Sequence, residues 1–303
     1  MENHKKPIVV AGFGRSGTTW LSDIISKALG GLLLFEPFHP KVFADSKAIT
    51  YSTALYPDQE ILSYWNQIKE GKHRSKWLLR NHLRSPYESA PQDYLDLIWE
   101  KSEVIGFKTI RANHLLSILN QALGRIRPIY IIRHPLACLA SIIRRPRFWE
   151  EFGWEWHWEN FIKQTSETIE IHENLMKKFQ TQYEKIIFMW AISQQIALDQ
   201  VKELKGYITS YEALYLNPFE ETKRILTHLG HQDLSIHPSY LFEPSMTSMR
   251  TLHNTGEDFH MVHERFPDFF WQNDLKADEC EHLMGLIEDL PVNQPEIFRY
   301  LKA

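Results

Sequence analysis

Gly12, Gly14 and Gly17 are spaced as G-x-G-x-x-G near the start of the chain, with Arg15, Ser16, Thr18 and Thr19 set among and after them. Glycines let a backbone approach a ligand closely, and the N–H groups that open a helix point at it with the positive end of the helix dipole behind them. A cation and three hydroxyls on such a turn suit a phosphate or sulfate ester. Further along, the apolar run Ile129–Ile132 ends in Arg133, His134 and Pro135, and Ser141 follows Arg133 by eight residues. That spacing is about two helical turns, so a guanidinium fork and a hydroxyl could meet one further phosphate.

The glycine turn satisfies more than one pattern. With Glu36 about 20 residues on, it reads as the dinucleotide fingerprint of an NAD(P)-dependent oxidoreductase, Glu36 binding the ribose hydroxyls. Gly12 and Gly17 also have the separation of the phosphate loop of a kinase, but Thr18 stands where that loop has lysine. A kinase of that type carries an Asp for Mg²⁺ at the end of a second buried strand, where this chain has Arg133. A third reading centres on Arg15 to Trp20, with Arg15 leading the turn.

The elements that must position these groups follow from apolar patterning. Residues 7–11, 31–35, 104–108, 128–132 and 206–210 are short β-rich runs of the kind that form strands buried on both faces of a parallel sheet. Thr18 opens a helix with apolar residues at Trp20, Leu21, Ile24, Ile25, Ala28 and Leu29, ended by Gly30 and Gly31. Helices are also expected around 115–119, after Pro135, over 160–200, over 219–229 and over 277–290, with helix and loop over 41–100 and long loops over 231–274. The fold class is α/β: a P-loop-like parallel sheet flanked by helices, with residues 1–303 forming a single domain. Nucleotide-binding elements span 8–36 and 128–145; acceptor-side helices and loops span 40–100 and 145–200. The tryptophan-rich stretch 148–158 is expected to pack between helices.

Gly14-Arg15-Ser16-Gly17-Thr18-Thr19-Trp20 resembles the 5′-phosphosulfate loop of sulfotransferases that use 3′-phosphoadenosine-5′-phosphosulfate (PAPS), and Ile132 to Ser141 resembles their 3′-phosphate motif. Phe35-Glu36-Pro37-Phe38-His39 and Phe107-Lys108-Thr109-Ile110-Arg111 are similar to segments of the carbohydrate branch, and Tyr211-Glu212-Ala213-Leu214 to a segment common in the family. The resemblance implies PAPS as co-substrate, PAP as product, no metal, and metal-independent in-line transfer of a sulfuryl group to a hydroxyl, with a sugar or small molecule as acceptor. It implies nucleotide contacts from Gly14, Arg15, Ser16, Gly17, Thr18, Thr19, Trp20, Arg133, Ser141 and Arg250. Catalytic roles fall to Arg15 at the bridging oxygen, Lys108 at the sulfuryl or leaving group, and Glu36 as base with His39 as the alternative.

The balance of the 303 residues excludes other classes. A net charge of −4 sets up no field that would gather nucleic acid or an anionic membrane, so any polyanion must be held by local cations. Two cysteines are too few for a disulfide framework or a tetrahedral metal site. No secretory signal or membrane span is evident. The Arg form of the loop is typical of the carbohydrate and tyrosine-protein branches, which are usually membrane-anchored; a cytoplasmic, bacterial enzyme would reconcile the two features.

Overall fold

Five parallel strands form one sheet in the order β2-β3-β1-β4-β5, where β1 is Ile8–Ala11, β2 Leu32–Phe35, β3 Val104–Thr109, β4 Arg127–Ile132 and β5 Tyr207–Ser210. All five lie within a residue or two of the apolar runs. The computed structural model describes residues 6–39, 42–43, 58–82, 91–144, 153–166, 173–242 and 274–301.

Alternation along the strands splits the core in two. Val9, Ala11, Leu34, Phe107, Tyr130 and Ile132 face one layer of helices. Ile8, Val10, Leu33, Ile129 and Ile131 face the other. The second layer is built on α1 (Thr18–Leu29), α9 (Tyr211–Leu216), α10 (Pro218–His228) and α11 (Pro238–Phe242). α1 ends at Gly30 in a left-handed turn whose N–H returns to the Ser26 carbonyl, as a glycine C-cap does.

The first layer contains α2 (Asp58–Lys69), α3 (Gln92–Lys101), α4 (Leu116–Ala122), α5 (Pro135–Ile143), α6 (Trp154–Thr165), α7 (Glu173–Met176), α8 (Gln182–Glu203), α12 (Ala277–Glu288) and α13 (Gln294–Arg299). Among these, α8 is the central brace. Thr181 and Glu184 cap its start reciprocally, and Ile186 to Val201 press on the sheet. Among the described residues, the helix expected over 160–200 is divided between α6, α7 and α8. Of the tryptophan-rich stretch, residues 148–152 lie outside the described residues; Trp154 and Trp158 pack on the core, Trp158 with its ring centroid 5.5 Å from that of Phe188.

Strand order has a consequence for function. β3 lies between β1 and β2, whereas the dinucleotide fold sets its second strand beside its first. The carboxylate ending β2 is thus carried away from the glycine turn by one strand. The C-terminal ends of β3 and β4 flank the turn instead, and ligands of open α/β sheets bind outside such strand ends.

Candidate functional site

The turn after β1 is held from within. Both the backbone N–H and the Oγ of Ser16 donate to the Phe13 carbonyl, at 3.1 and 2.6 Å. Ser16 is therefore committed to the turn, and the N–H groups that open α1 belong to the residues after it. Gly17 caps α1 at φ 94°, and a Cβ there would lie 2.6 Å from the Tyr211 ring. Arg15 also has a left-handed backbone, φ 73°. Strain of this kind in a non-glycine residue collects at functional sites.

Arg15, Ser141 and Arg133 come together. Arg15 Nε donates to Ser141 Oγ at 3.0 Å, and Arg133 Nη1 donates to the Arg15 carbonyl at 3.1 Å. The fixing of Arg133 is elaborate. Its guanidinium lies 4.0 Å above the Tyr211 ring, and its carbonyl accepts the indole N–H of buried Trp190 at 3.1 Å. Glu212 Oε1 accepts the N–H of His134 at 3.0 Å, pinning the start of α5, where Pro135 fits the first helical turn. Burial and the Arg133 charge push the His134 imidazole down to about 4, so no proton is gained there near neutrality. Burial pushes the Cys138 thiol up to about 12, which makes it inert.

On the other side of the turn, Glu36 stands at the end of β2 with φ 42°. Its N–H donates to the Lys108 carbonyl at 3.0 Å, and its carbonyl accepts the Trp77 indole N–H at 3.3 Å. Lys108 Nζ donates to Glu36 Oε1, while Arg111 Nε stands 3.6 Å from Oε2. All three side chains are under a tenth exposed. Burial alone would push the Glu36 carboxyl up; Lys108, Arg111 and His39 outweigh it and hold the group below the usual carboxylate range. Burial pulls Lys108 down, partly offset by Glu36, with Arg80 and Arg111 adding to the descent. Lys108 also lies 4.0 Å above the Phe35 ring.

His39 is buried beside Glu36 with its ring 4.1 Å from that of Trp77. His157, from α6, is buried near Arg111; burial and that charge push it down to about 3. Trp20 points the other way: its indole N–H donates to the Leu241 carbonyl at 3.3 Å. With Tyr215, Leu216, Pro218, Leu241 and Phe242 it lines a cavity of about 330 Å³.

The structure thus joins Arg15, Ser141 and Arg133 into one group and Glu36, Lys108 and His39 into another, on opposite sides of the glycine turn. Arg250 lies outside the described residues. Arg111, Trp77, His157, Tyr211 and Glu212 were not singled out as site residues by the sequence. Arg111 and the Tyr211-Glu212 pair did lie in segments whose resemblance was noted, which was the available signal; Trp77 and His157 had none. Arg133 at the end of β4 and Lys108 near the end of β3 put cations where a kinase would place a metal carboxylate. Among the described residues no helix is long and apolar enough to cross a membrane.

Several solved structures have a similar fold at low identity. The sulfotransferase domain of the Synechococcus PCC 7002 olefin synthase is 15% identical, covering 95% of this chain and 96% of that one, with a TM-score of 0.47. The sulfotransferase domain of the curacin biosynthetic pathway is 13% identical, covering 95% and 98%, with a TM-score of 0.46. Retinol dehydratase, solved with androsterone and the inactive cofactor PAP, is 13% identical, covering 96% and 83%, with a TM-score of 0.39. No curated protein sequence matches the chain. The profile described as the Sulfotransferase family matches residues 7–234, which takes in the glycine turn, both cation groups and every strand of the sheet: the chain belongs to the sulfotransferase family.

Proposed function

We propose that the protein transfers the sulfuryl group of PAPS to a hydroxyl of an acceptor, a carbohydrate in the first instance. The observation that carries this reading is the convergence of Arg15, Ser141 and Arg133 beside the N-terminus of α1, with the Glu36–Lys108 pair across the turn. The residues fit the donor. The α1 N-terminus and Arg15 would hold the 5′-phosphosulfate, Arg133 and Ser141 the 3′-phosphate, and the apolar cavity beside Trp20 and Phe242 a flat base. PAPS supplies an activated sulfuryl group, which is transferred in line through a loose transition state, as a phosphoryl group is.

The chain's part is positioning and charge. Lys108 is a buried donor one strand from the glycine turn, where it can stabilise charge on the reacting group. Glu36, held ionised beside it, can accept the proton of the acceptor hydroxyl. His39, 2% exposed and packed against Trp77, completes the wall and adds to the field on Glu36. The sugar assignment rests on the similarity of residues 35–39 and 107–111 to the carbohydrate branch.

Thermal shift with PAP, NAD⁺ and ATP–Mg²⁺ is the first test. A ligand at 100 times its Kd stabilises by about 2.7 kcal/mol, and PAP is expected to be the one that does so. Glu36→Gln is then expected to abolish transfer from PAPS to a panel of sugar, phenol and alkyl alcohols, read by mass spectrometry, while PAP affinity holds. Stabilisation by NAD⁺ alone would overturn the reading.

A further inference from the structure

Two cations flank Glu36 on different oxygens: Lys108 Nζ donates a hydrogen bond to Oε1, and Arg111 Nε stands 3.6 Å from Oε2, a charge contact longer than a hydrogen bond. Both come from the β3 end, Lys108 within the strand and Arg111 just beyond it. A carboxylate with one partner is released and reoriented whenever that partner moves to a ligand. One with two keeps its place. We propose that Arg111 is a positioning residue that anchors Oε2 of Glu36, so that Oε1 becomes the proton-accepting atom when Lys108 turns from the carboxylate to the sulfuryl donor. The inference rests on the sulfotransfer reading and adds to it a division of labour that the sequence does not display.

The geometry supports each half. Arg111 is 7% exposed, and Nε stands 3.6 Å from Oε2, an ion-pair separation with room to shorten once Lys108 departs. Its guanidinium presents a planar fork matched to a carboxylate, where a lysine presents a point charge. The backbone of Glu36 is fixed independently, by the Lys108 carbonyl at its N–H and the Trp77 indole at its carbonyl, so only the carboxylate has freedom to lose. The charged and titratable groups facing the carboxylate are Lys108 within β3, Arg111 just beyond it and His39 from the turn after β2. Arg80 acts on Lys108, and His157 of α6 faces Arg111. None of these is a second carboxylate.

The step balances. The acceptor O–H gives its proton to Oε1 as the acceptor oxygen forms a bond to sulfur. The bond from sulfur to the bridging oxygen breaks, and its electron pair leaves with the nucleotide phosphate. Lys108 meets the charge on the donor while Arg111 stays on Oε2.

The test compares Arg111→Met and Arg111→Lys with the wild type. Three quantities are read: kcat against pH, PAP affinity, and the titration of Glu36 in the free enzyme by carbon-13 NMR of labelled glutamate, assigned with Glu36→Gln. Arg111→Met is expected to lower kcat about 10- to 100-fold, as misplacement of a reacting group does. It should also move the acid limb of kcat and the Glu36 titration to higher pH together, and leave PAP affinity within threefold. Arg111→Lys should restore the acid limb, since the charge returns, with kcat still several-fold low because the planar fork is gone. It also serves as the readable variant should the methionine one fail to fold. An unchanged Glu36 titration in both variants would overturn the proposal. So would a loss of PAP affinity parallel to the loss of kcat, which would make Arg111 a donor ligand. A wild type that transfers nothing would sink the sulfotransfer reading, and the NMR titration would still decide whether Arg111 governs the carboxylate.

Discussion

Replacing Arg133 by lysine tests the proposed nucleotide site at its most demanding point. Lysine keeps the charge but presents a point rather than a fork, so one of two charge-assisted hydrogen bonds to a 3′-phosphate is lost. Such bonds contribute about 1.5–3 kcal/mol, or about 10- to 150-fold in affinity. The same substitution removes the Nη1 bond to the Arg15 carbonyl at 3.1 Å, worth about 0.5–1.5 kcal/mol, and thereby loosens the glycine turn for any nucleotide. The two effects separate when PAP is compared with 5′-AMP, which lacks the 3′-phosphate. Loosening the turn weakens both ligands alike, whereas the missing fork weakens PAP alone. Isothermal titration should therefore show the preference for PAP over AMP falling by about 10- to 150-fold. Gross collapse is not expected, because the Trp190 bond to the Arg133 carbonyl at 3.1 Å belongs to the backbone and survives the change. Ser141→Ala should erode the same preference and also release Arg15 Nε from its 3.0 Å contact. An unchanged PAP-to-AMP preference in both variants would refute the assignment and reduce Arg133 to a prop for the turn.

Other perturbations follow from the same contacts. Lys108→Met should lower kcat by about 10²–10³, the usual cost of losing a preorganised donor, with PAP affinity reduced far less; steady-state kinetics and titration calorimetry read the two apart. Gly17→Ala forces a side chain into φ 94° and to 2.6 Å from the Tyr211 ring, so stability should fall by about 1–3 kcal/mol and the stabilisation by PAP should shrink, both visible in thermal melts. Acid should weaken the fold through His157. Its folded value of about 3 lies below the unfolded 6.5, so its contribution is whole above pH 6.5 and is lost as pH falls toward 3. At pH 5.5 that loss is about 1 kcal/mol, and His157→Gln should lose correspondingly less stability between pH 7.5 and 5.5 in urea titrations. An identical acid slope in the two proteins would contradict the buried neutral imidazole.

The strands and the glycine turn were legible because buried parallel strands are continuous apolar runs and their boundaries fall at Gly, Pro or charge. Strand order was not. Residues 32–35 and 104–107 are both short apolar runs, and nothing local says which of them lies beside β1. That order nevertheless bears on the proposed role of Glu36, since it sets Lys108 rather than the glycine turn beside it. The cation group around Arg15 and Arg133 was legible for the opposite reason: each residue stands next to a strand end, and strand ends of a parallel sheet converge. Its supports were hidden. Tyr211 and Trp190 reach Arg133 from α9 and α8, contacts 78 and 57 residues away in the chain as measured from the same neighbourhood of the fold.

The two faces of the glycine turn differ in how they are built, and the difference bears on how the protein could work. On the α5 side, Arg133 is braced by a ring, an indole N–H and a backbone carbonyl, a rigid seat suited to a group that stays put through the reaction. On the β3 side, Glu36, Lys108 and Arg111 are buried together with more positive than negative charge among them. Buried ion pairs are sustained by their partners, and removing one partner costs about 3–5 kcal/mol. An anion brought to Lys108 would change the pairing within that group without leaving Glu36 alone, since Arg111 remains. Rigidity at one end of the proposed nucleotide site and exchangeable partners at the other are what a transferase of an anionic group needs: a fixed handle on the donor, and charges that can be handed from the resting carboxylate to the group in transit.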